Sequence, residues 1–489
     1  MNIGQIKREK LYFPSGPDSR WPEWDQVAEY IETYPDADYA HAPAASFDAF
    51  RKLRFGVRIH WGIYAMIPGL VGESWPFLRM TPAEKQHYQE LYRQFNPVDF
   101  DAADWSALFA ASGAQCAAFT AKHHDGFSLF HTATRVRHRA RWTGPGGPAL
   151  EACDLHYSVA ETPFQRDIVR ELTTALRARG LAIDLYFSHP DWYDADFRPF
   201  MYHPMSTPDA ADLVLPIELE QAAERHGAPP SVFPAADALA RQRMMARHRD
   251  QLLELVTNYG PIDMLCLDMW LGHEVWPQLR ETVKLLRRTS PHTMLRARGI
   301  ANYGDYHTPE GYVPGDRANT AMPWMTIYPL GSSFSYEQSA DHHKGAAWMI
   351  ATIVDCAAKG GAFMVGIGPD ATGRFHPEAR RQLLSTGEWL RRNGEAVYDT
   401  VPRPGDGWQE GENVRFTQSP DGSTVYAHLL RDPGDQLALR TLRPTDATVV
   451  RLLSTGSVLD WRYRNDTLQI DLPGPLPDPV NVLRFDAPS

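Results

Sequence analysis

The chain has 489 residues, of which 43% are hydrophobic and 22% charged, a composition typical of a folded globular protein. A formal net charge of -11 argues against a nucleic-acid or anionic-membrane partner, which would call for basic patches. No stretch has the apolar length of a signal peptide or a membrane span, so we expect a cytoplasmic protein. The four cysteines form neither a CxxC pair nor a zinc-binding spacing.

Residues 48–402 alternate predicted strands with predicted helices. The strands are Arg54 to His60, Ala114–Thr120, Leu181–Ser188, Pro261–Asp268, Thr293–Arg298 and Ala362–Ile367. The helices are Asp101–Ser112, Asp167–Arg179, Arg241–Asn258, Val275–Arg288, His343–Lys359 and Pro377–Arg392. This alternation predicts parallel β/α units, and their number favours a (β/α)8-like barrel over an open doubly wound sheet. No GxGxxG follows a strand, so a dinucleotide site has no support.

The sequence pattern changes near residue 403, where short runs of alternating apolar and polar residues are separated by Asp-Gly, Pro-Gly and Asn-Asp turns. Such runs predict an antiparallel β-sandwich. The predicted fold is therefore α/β, a (β/α)8-like barrel followed by a C-terminal antiparallel β-sandwich. Its predicted parts are an irregular N-terminal arm packed on the barrel (1–47), the catalytic barrel with an insertion near 190–234 (48–402), and the sandwich (403–489). We expect the sandwich to support the barrel.

Polar residues stand at the predicted strand ends, where barrel enzymes place their chemistry. Asp268 ends the apolar run that begins at Met264. A lone Asp there would more often cap a helix or form a structural ion pair. However, the other strand ends also carry polar or titratable side chains, namely His60, His123, His124, Ser188, Arg298 and, further along, Glu310. Because parallel strand ends converge on one face, the set predicts a single functional site.

Two carboxylates with an Arg and several His suit glycoside cleavage, in which one carboxylate stays ionised and the other donates a proton. The main alternative is a zinc site, because His pairs bind zinc. The adjacent His123 and His124 point to opposite sides of an extended chain, and HxH and HExxH spacings are missing at the strand ends. Metal-dependent hydrolysis is thus the less favoured hypothesis. We expect neither a metal nor a cofactor.

At this point the chain resembles the α-L-fucosidases of glycoside hydrolase family 29 over most of residues 50 to 400. The resemblance lies in several motifs along the chain. They are FGVRIHWG (55–62), GESW (72–75), TAKHHDGF (120–127), RDIV (166–169), NYGPID (258–263), Gly304-Asp305 with Thr308-Pro309-Glu310, and GEAVY (394–398). The TAKHHDGF segment is the most specific of these.

The resemblance implies a retaining, exo-acting enzyme that hydrolyses terminal α-L-fucosyl linkages by double displacement. It assigns Asp268 as the nucleophile and Glu310 as the acid/base. The residues expected to bind the sugar hydroxyls and ring oxygen are His60, His123, His124 and Arg298. Trp75 is expected to pack near the sugar with Glu73 beside it, and Phe187 and Trp270 are expected to form an apolar wall for the C5 methyl group.

The chain departs from the family pattern at three residue positions and in the unusual length of the insertion near 190–234. Cys266 stands where a Trp is common two residues before the nucleophile, a glutamate is missing around Met325, and Ala362 replaces an Asn. The three residue changes motivate an alternative, a carbohydrate-binding fucosidase homologue with lost or altered activity, directed to a related sugar or an unusual aglycone. It is less favoured than the enzyme because both candidate carboxylates are present. The expected partner is a fucosylated oligosaccharide or glycoconjugate. The sequence leaves the linkage and homo-oligomerisation open.

Overall fold

The computed structural model describes residues 12–15, 19–22, 31–32, 34–198, 203–205, 233–234, 236–269, 271–314 and 322–487. Much of the predicted N-terminal arm (1–47) and most of the predicted insertion (190–234) lie outside these ranges. Within them the α-helices are α1 (Ala44–Lys52), α2 (Pro82–Tyr88), α3 (Ala102–Ala111), α4 (Ile168–Ala178), α5 (Ala238–Thr257), α6 (Trp276–Thr289), α7 (Ala346–Lys359) and α8 (Pro377–Asn393). The short 3-10 helices there are Ile63–Met66, Trp75–Arg79, Leu91–Gln94, Val159–Glu161, Ala195–Phe197, His273–Val275, Ala301–Tyr303 and Gly394–Ala396.

The strands fall into an N-terminal set and a C-terminal set. The first comprises β1 (Tyr12–Ser15), β2 (Ser19–Pro22), β3 (Phe55–Ile59), β4 (Cys116–Lys122), β5 (Val136–Arg141), β6 (Ala149–Leu155), β7 (Ala182–Ser188), β8 (Met264–Asp268), β9 (Met294–Leu295), β10 (Met325–Pro329) and β11 (Ala362–Ile367). The second comprises β12 (Val401–Pro402), β13 (Gln409–Glu410), β14 (Val414–Gln418), β15 (Thr424–Leu429), β16 (Gln436–Leu439), β17 (Val449–Leu452), β18 (Ser457–Leu459), β19 (Trp461–Arg464), β20 (Thr467–Asp471) and β21 (Asn481–Asp486).

A parallel sheet organises the N-terminal part of the described chain, in the order β10-β11-β3-β4-β7-β8-β9. Its inner strands β3, β4 and β8 are buried at every position, because helices cover one face and the barrel interior the other. Continuous apolar runs therefore specify these strands. Their parallel direction places all carboxyl ends on one rim.

The segment from Tyr306 to Glu310 bridges the two ends of this sheet. Isolated parallel bridges join Arg296 to Tyr306, His307 to Trp324 and Glu310 to Ile327. Backbone bonds from Met325 N to the His307 carbonyl (2.9 Å) and from Ile327 N to the Pro309 carbonyl (2.8 Å) reinforce the contact. The sheet thus closes around a barrel interior through an irregular segment, which carries Glu310 to the rim.

Helix starts follow simple capping chemistry. Asp101, Asp167 and Asp237 each accept a backbone N–H of the first turn of α3, α4 and α5. The helices then pack their apolar faces on the strands and form one continuous core with them. No helix in the described ranges has the length and apolar character needed to cross a membrane.

The C-terminal part is antiparallel, as predicted. One sheet runs β12-β14-β15-β21-β17-β18 with β13 beside β14, and another runs β16-β20-β19. They enclose a separate core that includes Phe416, Leu439 and Phe485. The predicted barrel followed by a β-sandwich is confirmed.

The strand predictions fail at three places in residues 48–402. The predicted strand Thr293–Arg298 is only Met294–Leu295, because Arg296 makes just an isolated bridge to Tyr306 and the chain then turns, which brings Arg298 to the rim. The strand Met325–Pro329 was not predicted; it is short and ends in a proline. The hairpin of β5 and β6 was also missed, since its strands are mostly half-buried and carry few large apolar residues, so their apolar signal is weak.

Candidate active site

Asp268 is the last residue of β8, and its side chain faces the barrel interior. In the register between β7 and β8, Asp268 pairs with Ser188 and Cys266 pairs with Tyr186. Paired residues of adjacent strands point to the same face, so Tyr186 and Ser188 also face inward. Asp268 is 7% exposed, so protein groups rather than water must supply most of the hydrogen bonds to its carboxylate.

Both oxygens of Asp268 have hydrogen-bond donors. Oδ1 accepts from Nη1 of Arg298 at 2.8 Å and from Nη1 of Arg296 at 3.2 Å. Oδ2 accepts from the hydroxyl of Tyr186 at 2.5 Å and lies 3.7 Å from Nε2 of His124. Burial alone would raise the pKa of Asp268, but Arg298 and Arg296 outweigh it and hold that pKa well below its usual value. The carboxylate is therefore ionised.

Arg298 also binds the second carboxylate. Its Nη1 and Nη2 each lie 3.1 Å from Oε2 of Glu310. Because the same Nη1 is 2.8 Å from Oδ1 of Asp268, the two carboxylate oxygens are at most about 6 Å apart. The carboxyl groups of retaining glycosidases lie about 5–5.5 Å apart and those of inverting ones about 6.5–9.5 Å apart. The side chain of Glu310 is 32% exposed, in contrast to the buried Asp268.

Strained backbone brings Arg298 to Asp268. Met269, directly after Asp268, is buried at φ +62°, a conformation that costs a non-glycine residue energy. Gly299 has φ +80°, and a Cβ there would lie 2.0 Å from the Met269 carbonyl oxygen. Only glycine permits this approach of the two loops. Trp270 lies outside the described residues.

Three predicted histidines gather beside the carboxylates. His60 lies 5.7 Å from His123 between ring centroids, and His123 lies 4.2 Å from His124. Ser74 hydrogen-bonds Nδ1 of His123, and Ser188 hydrogen-bonds Nδ1 of His124. Burial lowers the pKa of all three, to about 4 for His124 and well below the usual value for the others. The imidazoles are therefore neutral at about pH 7.

Trp75 and Glu73 lie on the same rim. The Trp75 ring is 4.6 Å from that of His124 between centroids. Oε1 of Glu73 accepts hydrogen bonds from the Ser333 hydroxyl (2.6 Å) and the Ser335 backbone N–H (2.9 Å). Burial raises the pKa of Glu73. Glu73 thus anchors the segment 333–335 at the site.

Phe187 does not join this cluster. It pairs with Leu267 on the helix-facing side of the sheet and is 0% exposed. Its ring contacts Nζ of Lys122 at 4.2 Å and the ring of His248 at 5.5 Å. The expectation that Phe187 forms an apolar wall for the sugar is wrong, because successive residues of a strand face opposite sides.

A different phenyl ring lies at the site. Phe334 is partly exposed, and its ring centroid is 4.9 Å from that of His60. Its neighbours Ser333 and Ser335 are the partners of Glu73. No period or motif marks this position in the sequence, so only the folded chain reveals it.

Tyr186 and Arg296 also belong to the site, although neither was predicted. Both stand two positions before an identified residue, Ser188 and Arg298 respectively. The two-residue period of a strand was therefore a usable signal for Tyr186, which lies with Ser188 in β7, but not for Arg296, because β9 ends at Leu295. Cys266, which stands where a Trp is common in the family, is fully buried and lies 3.4 Å from Nη1 of Arg58 and Nη1 of Arg296.

In the ranges that the structure describes, no group of three His, Cys, Asp or Glu side chains has an arrangement suited to a metal ion. What converges on the rim is an ionised buried carboxylate, a partly exposed carboxylate, a shared guanidinium, neutral imidazoles and aromatic rings. On a parallel barrel, this arrangement defines a glycoside hydrolase type of active site.

Comparison with known proteins identifies the family. The family model for alpha-L-fucosidase matches residues 26–395, and that for the alpha-L-fucosidase C-terminal domain matches residues 409–483. The chain therefore belongs to the α-L-fucosidases of glycoside hydrolase family 29, and it is an enzyme of that class.

Similar proteins span almost the whole chain. The plasma alpha-L-fucosidase of Pongo abelii is 26% identical over 481 residues, covering 91% of this chain and 90% of its own. The tissue alpha-L-fucosidase of Homo sapiens is 25% identical over 470 residues, covering 91% and 88%. Among solved structures, alpha-L-fucosidase isoenzyme 1 from Paenibacillus thiaminolyticus is 27% identical with a TM-score of 0.70, covering 90% and 98%. A Bacteroides thetaiotaomicron alpha-L-fucosidase, solved as a trapped covalent intermediate, has a TM-score of 0.72 at 22% identity, covering 94% and 98%.

Proposed function

We propose that the protein is a retaining, exo-acting α-L-fucosidase that hydrolyses terminal α-L-fucosyl linkages of oligosaccharides or glycoconjugates. The observation that carries this proposal is the guanidinium of Arg298, which holds Asp268 and Glu310 with their nearest oxygens at most about 6 Å apart. That separation fits a double displacement, and it leaves less room than the attacking water of an inverting enzyme needs.

In the first half-reaction, an oxygen of Asp268 attacks C1 of the fucosyl group. The glycosidic C1–O bond breaks, and the leaving oxygen takes a proton from Glu310. Asp268 is suited to this role because its two arginine partners keep it ionised. Glu310 is suited to the acid/base role because its partly exposed carboxyl group can exchange protons with solvent.

In the second half-reaction, Glu310 accepts a proton from water while the water oxygen attacks C1. The ester bond to Asp268 breaks, and fucose leaves with its original anomeric configuration. The Bacteroides thetaiotaomicron relative was trapped as a covalent intermediate, which supports the same sequence of steps here.

The surrounding residues suit a 6-deoxy sugar. Because His60, His123 and His124 are neutral, each ring has one donor and one acceptor nitrogen. Serines bind Nδ1 of His123 and of His124, so Nε2 of each of these rings is the atom offered to a sugar hydroxyl. The indole of Trp75 offers a stacking surface for the pyranose. The partly exposed ring of Phe334 offers an apolar surface for the C5 methyl, in place of Phe187.

The test is hydrolysis of an aryl α-L-fucoside, with the first-formed anomer of fucose observed by proton NMR. The proposal predicts α-L-fucose as the initial product. Asp268→Asn should lose nearly all turnover, and Glu310→Gln should lose about 10²- to 10⁴-fold with a poor leaving group. Adding azide to Glu310→Ala should restore turnover and give the α-fucosyl azide, since azide needs no general base.

Two outcomes would contradict the proposal. Initial release of the β-anomer would show an inverting reaction. Calorimetric binding of fucose without turnover of any fucoside tested would favour a carbohydrate-binding homologue instead.

A further inference from the structure

The carboxylate of Asp268 has a second guanidinium partner, which lies inside the barrel. Nη1 of Arg296 is 3.2 Å from Oδ1 of Asp268 and 3.4 Å from Sγ of Cys266. Nη1 of Arg58 is 3.4 Å from the same sulfur, and its guanidinium carbon is 5.0 Å from the ring centroid of Tyr186. Since Tyr186 donates to Asp268, these side chains form a closed ring of contacts.

Arg296 differs from Arg298 in its surroundings. Arg296 is 0% exposed, whereas the side chain of Arg298 is 15% exposed and shared with Glu310. A guanidinium stays charged in the interior, and its attraction for a carboxylate is strongest where water is excluded. The charge of Arg296 therefore acts on Asp268 whether Glu310 is ionised or protonated.

We propose that Arg296 is a positioning residue that fixes Oδ1 of Asp268 and stabilises the carboxylate released when the glycosyl-enzyme ester breaks. This inference rests on the proposed retaining function. In that step the water oxygen bonds to C1 and its proton passes to Glu310. The bond between C1 and the Asp268 oxygen breaks, and its electron pair returns to the carboxylate, where a negative charge reappears beside Arg296.

Several other groups face Asp268 and share in its electrostatics. They are Arg298 after β9, Tyr186 in β7, His189 after β7, Cys266 in β8, His60 after β3, and His123 and His124 at the end of β4. Burial raises the pKa of Asp268. Arg298 and Arg296 are permanent cations, and among the neighbours of Asp268 they do most to lower this pKa. Removing Arg296 should therefore make Asp268 a poorer leaving group and a stronger base.

The experiment compares Arg296→Gln with wild type on an aryl α-L-fucoside that has a good leaving group. We expect kcat to fall about tenfold or more and KM to fall with it, because the glycosyl-enzyme accumulates when its breakdown is slowed. Mass spectrometry of the intact protein during turnover should show an added fucosyl group. The acid limb of the pH profile of kcat/KM should shift to higher pH by about one to two units. Arg296→Lys, which keeps the charge, should recover part of kcat.

Arg58→Met is the matched control. It removes a guanidinium of similar burial at the same distance from Cys266, but one whose described hydrogen bond goes to that thiol rather than to Asp268. It should lower the melting temperature without the fall in KM or the accumulated adduct. Equal falls in kcat and kcat/KM for Arg296→Gln, without an adduct, would overturn the inference.

Two further results separate the possible failures. If Arg296→Gln does not fold, Arg296→Met, which also removes the charge, takes its place: a kcat equal to that of wild type with an unmoved acid limb of the kcat/KM profile would also overturn the inference. If wild type neither hydrolyses a fucoside nor is labelled by a 2-fluoro fucosyl fluoride, it is the proposed function that fails, and not only the role of Arg296.

Discussion

The hydroxyl of Tyr186 donates a hydrogen bond of 2.5 Å to Oδ2 of Asp268. The Tyr186 ring packs against those of His60 and His123, with centroid distances of 5.4 and 5.5 Å, and it is 2% exposed. Burial raises the pKa of Tyr186 well above its usual value. The phenol is therefore a permanent donor, and it fixes the orientation of the carboxylate.

Tyr186→Phe removes this donor and leaves the ring in place. A hydrogen bond to a charged group contributes about 1.5–3 kcal/mol, so we expect kcat/KM to fall about 10- to 100-fold. Because the lost bond favours the ionised form of Asp268, the acid limb of kcat/KM should also move to higher pH. Steady-state kinetics on an aryl α-L-fucoside across about pH 4 to 8 measures both effects.

The next residue in the strand supplies the control. Phe187→Leu alters a ring on the helix-facing side, where it packs on Lys122 and His248. It should cost about 1 kcal/mol or more in unfolding free energy and leave the acid limb unmoved. If the acid limb of the kcat/KM profile shifted equally in Tyr186→Phe and Phe187→Leu, Tyr186 would act through packing alone.

Gly299→Ala should displace Arg298 from the carboxylates. The added Cβ would lie 2.0 Å from the Met269 carbonyl oxygen, so one of the two loops must move. We expect kcat/KM to fall at least tenfold, together with a lower melting temperature. Gly180→Ala is the matched control, because Gly180 has φ +71° but no described atom within 4 Å of the place that a Cβ would occupy. This control variant should lose about 1 kcal/mol or more of unfolding free energy, because alanine is strained at a positive φ, and it should keep normal activity.

A comparison of Glu73→Ala with Glu73→Gln separates the negative charge of the Glu73 carboxyl group from its ability to accept hydrogen bonds. The amide oxygen of Gln can still accept from Ser333 and the Ser335 backbone, whereas Ala leaves both donors without this acceptor. We expect the Ala variant to raise KM more than the Gln variant, since it frees the segment that holds Phe334 against His60. Equal KM values in the two variants would contradict an anchoring role for Glu73.

Asp268, His60 and His124 could be found from the sequence because each stands at or just beyond the end of a buried apolar strand. Parallel strands that are covered on both faces leave a continuous apolar signal, and chain direction then fixes which end carries the chemistry. The same pattern predicts Arg298 and Glu310 at the rim, although the strand before Arg298 is only two residues long.

Phe334 and the contacts of Arg296 could not be predicted in this way. Phe334 follows an unrecognised strand and reaches the site only because Glu73, 260 residues before Ser333 in the chain, binds its neighbours. Arg296 points inward because the chain bends after β9 and pairs with Tyr306. Such positions depend on long-range contacts rather than on local pattern.

The buried histidines predict that the fold loses stability in acid. His189, His248 and His428 are fully buried, and burial lowers the pKa of each, to about 3 for His189 and His428. A histidine with a depressed native pKa binds its proton in the unfolded state first. Its contribution to stability is therefore complete above about pH 6.5 and is lost as pH falls toward the native value. Burial raises the pKa of two acids, Asp125 and Asp194, to about 7, and they act in the opposite direction.

His428→Gln isolates one of these contributions away from the active site. His428 lies in β15, and its Nε2 is 2.9 Å from the Thr417 hydroxyl, a bond that an uncharged amide can replace. Between about pH 7.5 and 4.5, wild type should lose about 2–3 kcal/mol more unfolding free energy than the variant. Urea titrations at the two pH values measure the difference. Equal losses in the two proteins would mean that His428 is already protonated in the native state at the lower pH, in conflict with its burial.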